Sequence, residues 1–234
     1  MYLVALFIYI IIYALVIHLM KYMKNTKIAN LVFGSVISIS YISLIVSIYF
    51  ECGYDTWNFQ NQMPTANVSP FMFFIVPIIL ILPNKIQKYC LTLISLLIVG
   101  MFFSSAFNLI SNAINNIRFI YWFHLDYIAH FTISLWGIYI IRSKQISLNI
   151  KECLIGGVIL LFVATVMLVL NCIFDTSFFG LSLTGKHNIY NIVLVSNSYL
   201  SAFIYYVGAI GVMTLGYVTQ KFINKEYKKA KAII

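Results

Sequence analysis

Asp126 and His130 stand four residues apart in the apolar run that begins at Phe119. On an α-helix that spacing puts both side chains on one face, where a carboxylate holds the proton of one imidazole nitrogen and raises the basicity of the other. The chemistry this suggests is proton transfer: His130 as general base, Asp126 as its orienting partner, and a serine hydroxyl, with Ser69 the first candidate, as nucleophile or as a ligand for a substrate oxygen. Small hydroxyl residues also serve as hydrogen-bonding glue between helices, which would account for the serines without any reaction.

Other polar residues cluster near the same level. Asn67 and Ser69 open the third apolar run, Ser104, Ser105 and Asn108 close the fourth, and Asn171 with Asp175 closes the sixth. His124 precedes Asp126 by two residues and therefore falls on another helical face, while His187 lies beside Lys186 in a long connection that could fold over the others. These residues predict a ligand-binding polar cavity open to one side of the chain, with the opposite halves of the apolar runs almost wholly apolar. A metal site would need three or four converging ligands. No helical HxxxH or HExxH pattern is present, and neither metal nor cofactor is expected.

The elements that must position these groups are read from composition. The 234 residues are 62% hydrophobic and 9% charged, with a mean hydropathy of +0.95. Soluble domains are roughly half apolar. The charges fall between apolar runs of about 18 residues or more, the length a helix needs to cross roughly 30 Å of hydrocarbon. The expected fold is all-α: one integral membrane domain over 1–234, a polytopic transmembrane helix bundle with about seven spans near 2–20, 28–49, 68–83, 89–110, 119–141, 152–173 and 199–221. From its assumed outer end, the fifth span carries Asp126 about 12 Å and His130 about 18 Å along the helix, inside the hydrocarbon. Ionisable residues at that depth are costly and are functional candidates for that reason. Pro70 and Pro77 predict a kinked or partly unwound third span. The run from Tyr2 to Met20 lacks a basic leader and a small-residue cleavage site, so it reads as a retained span.

The formal charge of +9 would suggest nucleic acid in a soluble chain. Here the basic residues sit at span ends, beside anionic headgroups, and nucleic acid is excluded as a partner in favour of membrane lipids. Lys21, Lys24, Lys27, Lys85, Lys88, Arg142, Lys144, Lys151 and the tail lysines from Lys221 to Lys231 fall on one side, leaving Arg118 and Lys186 on the other. The excess of positive charge predicts an N-terminus outside and a C-terminus inside a cell membrane. Cys52 and Cys172 share the outer side in this arrangement, where two packed thiols are expected ahead of a disulfide. Oligomeric state is not legible.

The order of features resembles the YwaF-type integral membrane family: a polar outer segment leading to Met63 and Pro64, a short third span, a histidine inside the fifth span, and a long outer loop before the last. The resemblance covers most of the chain. Its eukaryotic members include lipid acyltransferases, so it implies a lipid-modifying membrane enzyme, acyltransferase or hydrolase, with His130 as the family histidine. Where the family carries His-x-Cys after the proline, this chain reads Thr65, Ala66, Asn67, Val68, Ser69. The resemblance then implies Ser69 or another group in place of the cysteine, or lipid binding without reaction. The alternative expectation is a non-catalytic transporter, receptor or immunity-type protein that binds a small ligand or peptide in the cavity, with Asp126 as charge partner or proton relay.

Overall fold

The computed structural model describes residues 2–53, 62–63, 68–104, 106, 121–146, 149–174 and 198–233. Among these the regular structure is helical and no strand is present. The helices are α1 (Tyr2–Leu19), α2 (Thr26–Cys52), α3 (Val68–Ile81), α4 (Asn84–Leu96, continued after a bend by Ile98–Ser104), α5 (Tyr121–Arg142), α6 (Ile150–Phe174) and α7 (Ser198–Ile233), with a 3-10 turn at Met20–Tyr22. Each apolar run of the sequence coincides with one of them. Among the described residues two helices, Thr26–Cys52 and Ile150–Ile173, are long and apolar enough to cross a membrane, and the bent pair in α4 makes a third if it is one span.

Helix ends follow local chemistry. The Asn25 side chain accepts from the backbone N–H groups of Lys27 and Ile28, satisfying two of the unpaired donors that open α2. Gly53 closes that helix at φ +83°, a conformation that costs glycine little, and its N–H returns to the Tyr49 carbonyl. Gln87 Nε2 donates to the Ile79 carbonyl at 3.0 Å, capping the end of α3 from the start of α4. At the end of α5, Lys144 adopts φ +56° while its N–H donates to Ile141 O and that of Gln145 donates to Ile140 O, the Schellman pattern with lysine in the left-handed position.

α5 is the hub. It packs on α1, α2, α4 and α7, and every residue from Thr132 to Ile141 is buried, Trp136 and Ile140 without exposure. α4 approaches closely at Gly137, where a Cβ would lie 2.5 Å from Ile98 Cγ1. Away from the hub the helices turn apolar faces outward. Ile39, Ile42, Val46 and Phe50 on α2 and Leu154, Val158, Phe162 and Ile173 on α6 are all exposed, although these helices also bury apolar side chains. Helices apolar on every face are what lipid, rather than water, selects.

Two sequence expectations change. α3 stays helical through Pro77, and the chain instead breaks at Leu97, where the two halves of α4 meet at 48°. Just before the bend Thr92 Oγ1 donates to Lys88 O and Ser95 Oγ donates to Thr92 O, back-bonds of a kind that often accompanies helix bending. The second correction concerns the basic end of the bundle, expected to be almost wholly apolar. Asn30 and Gln145 exchange amide hydrogen bonds there, Trp136 Nε1 donates to Asn30 Oδ1 at 2.9 Å, and Arg142 Nη1 donates to the Ile17 carbonyl. Buried polar groups must pair, and the amides that begin and follow the helices supply the partners.

Candidate functional site

The Asp126 and His130 pair forms as its spacing predicts. Both side chains are nearly enclosed, 10% and 5% exposed, on the N-terminal half of the hub helix. His130 Nδ1 lies 2.9 Å from the Asp126 backbone carbonyl and 3.4 Å from its carboxylate Oδ1. A carbonyl only accepts, so Nδ1 carries the hydrogen and donates it. The tautomer is thereby fixed, and Nε2 is the nitrogen left to accept or release a proton. Asp126 makes at least one further interaction.

Aromatic rings hold the imidazole in place. Phe73 of α3 meets it edge-on with centroids 4.9 Å apart, and Tyr41 of α2 packs on Phe73 at 5.8 Å. The Tyr41 hydroxyl donates to the backbone carbonyl of Gln62 at 2.8 Å, which holds Gln62 against the side of α2. On the other flank Tyr9, Tyr13, Phe102, Tyr127 and Phe131 form one ring cluster joining α1, α4 and α5. Edge-to-face packing of this kind fixes orientation as well as burying area.

Ser69 is half-buried one turn before Phe73 on α3, and its hydroxyl donates to Met101 Sδ of α4 at 3.8 Å. Ser104 is half-buried near the end of α4. His124 is exposed, as its different face requires, and Asn171 is buried in α6, which packs mainly on α4 and α7. Asn67, Ser105, Asn108, Asp175 and His187 lie outside the described residues. Cys52 and Cys172 are free thiols, the first half-buried and the second exposed. Among the described residues no three His, Cys, Asp or Glu side chains converge as metal ligands.

One polar residue on the same stripe was not singled out by sequence. Ser134 follows His130 by one turn and is fully buried; its hydroxyl contacts the Tyr13 hydroxyl at 2.8 Å and the Ile98 carbonyl at 3.3 Å. The repeat Asp126, His130, Ser134 at four-residue intervals was the available signal.

No protein-family model matches this chain, and no curated protein or solved structure matches it.

Proposed function

We propose that this chain is a seven-span protein of the cell membrane, with its N-terminus outside and its C-terminus inside, in which Asp126 and His130 form a proton-exchanging unit for a small ligand or ion. This is a transporter-like or receptor-like role without covalent chemistry. The carrying observation is the anchored imidazole: Nδ1 donates to the Asp126 carbonyl at 2.9 Å, with the Asp126 carboxylate 3.4 Å away. Proton exchange needs only such a pair, whereas acyl chemistry also needs a nucleophile brought within reach of the base. Topology rests on the side to which the lysines fall. A fluorescent protein fused after Lys231 tests it, since fluorescence requires a cytoplasmic tail.

The functional test uses the purified full chain in liposomes loaded with a pH-sensitive dye under an imposed pH gradient. Wild type is expected to collapse the gradient several-fold faster than empty vesicles, and Asp126→Asn and His130→Gln to return the rate toward the empty value. Collapse no faster than in empty vesicles removes the proton-transport form of the proposal.

A lipid-modifying enzyme is the second reading, favoured by one feature: an imidazole whose Nδ1–H is held by a carboxylate-bearing residue is oriented as a general base. It predicts a change in cellular acyl-lipid composition with wild type that His130→Ala abolishes. Identical lipidomes would count against it.

A further inference from the structure

The basic end of the bundle has two corners that differ in charge balance. At one, α4 meets α6 and Lys88 is paired with Glu152. At the other, α5 meets α1 and α2, and no carboxylate is near in sequence: residues 1–50 and 127–151 contain neither Asp nor Glu. Lys21, Lys24, Lys27 and Lys144 are exposed in this second corner, and Arg142 is half-buried.

Hydrogen bonds hold the corner together. Arg142 Nη1 donates to the Ile17 carbonyl in the last turn of α1, and the Tyr139 hydroxyl donates to Met23 O at 3.0 Å. Asn30 and Gln145 exchange amide bonds just beyond. The turn between α1 and α2 is thereby fixed against the end of α5. Lys21 lies over the Tyr22 ring at 4.8 Å, and among the described residues none of the four lysines is paired with a carboxylate. Like charges gathered in this way repel, and an anion from outside the chain relieves the repulsion.

Lys144 adds to the case. Its φ of +56° is left-handed, at the position after α5 where glycine is the usual residue. Lysine there costs the fold conformational energy and adds a charge to the corner.

The surroundings of the charges select the partner. Leu15 and Leu19 at the end of α1, Tyr22 in the turn, and Ile28 and Leu31 at the start of α2 are all large and exposed. A soluble anion would use the cations alone. A phospholipid uses both, its phosphate on the lysines and its acyl chains along the apolar side chains. We propose that Lys21, Lys24, Lys27, Arg142 and Lys144 form a binding site for an anionic phospholipid. The site rests on the membrane-spanning part of the reading above and is independent of proton exchange at Asp126 and His130.

The test is native mass spectrometry of the full chain released from micelles that contain equal amounts of phosphatidylglycerol and phosphatidylcholine. Wild type is expected to retain phosphatidylglycerol several-fold over phosphatidylcholine. Lys24→Gln, Lys27→Gln and Lys144→Gln combined should bring that ratio toward one. The charge-matched combination of Lys85→Gln, Lys151→Gln and Lys221→Gln should leave it near wild type. Lys144→Gly alone should lower the ratio while the thermal midpoint holds or rises, because glycine suits the left-handed position. No preference in wild type overturns the site, and so do equal losses in the two triple variants, which would trace the preference to net charge. Displacement of the lipid by excess glycerol phosphate would overturn the lipid as occupant in favour of a soluble phosphate. A chain that fails the dye assay and passes this one keeps the site and loses proton exchange.

Discussion

The indole N–H of Trp136 donates to Asn30 Oδ1 across the interface between α5 and α2, at 2.9 Å and with the indole fully buried. Asn30 also exchanges hydrogen bonds with Gln145, so one amide joins three segments of chain. Interhelical bonds inside membrane proteins average well under 2 kcal/mol, but this one is shared and its loss strands several buried groups.

Asn30→Leu is accordingly expected to destabilise the bundle by about 1–3 kcal/mol. A fall in thermal midpoint in detergent, measured against Val32→Ala on the exposed side of α2, checks it. Equal midpoints would show that the Trp136 contact carries little stability.

Gly216 and Gly211 make a matched pair on α7. A Cβ at Gly216 clashes with the Leu96 carbonyl, whereas one at Gly211 meets nothing within 4 Å. Gly216→Ala must push α7 from α4 and is expected to cost about 1–3 kcal/mol, as overpacking does. Gly211→Ala should be neutral or slightly stabilising through helix propensity. Thermal unfolding of the two variants side by side is the measurement, and the reverse order would contradict the close approach.

The tautomer of His130 is directly observable. Nitrogen-15 shifts of wild type near neutral pH should show the neutral ring protonated at Nδ1, and Asp126→Asn should keep that tautomer because the backbone carbonyl at 2.9 Å remains. A neutral ring protonated at Nε2 in wild type would remove the anchored imidazole from the mechanism.

The four cysteines are free. Alkylation of denatured protein without reductant is expected to modify all four, and a product with only two modified thiols would indicate a disulfide.

Residue order alone determined the helical class, the apolar runs that coincide with α1 to α7, and the shared face of Asp126 and His130, because length, hydropathy and the four-residue spacing are local properties of the chain. It could not determine which way a hydroxyl points: that of Ser69 donates to Met101 Sδ across the α3–α4 contact, a pairing no spacing indicates. The prolines point to α3, which stays helical through Pro77, while the 48° bend falls in α4. The polar contacts at the basic end were missed because each of Asn30, Trp136 and Gln145 is unremarkable alone. Only packing brings residues more than a hundred positions apart within hydrogen-bond distance, and that distance is set by how α5 seats between α2 and α4, which no local period encodes.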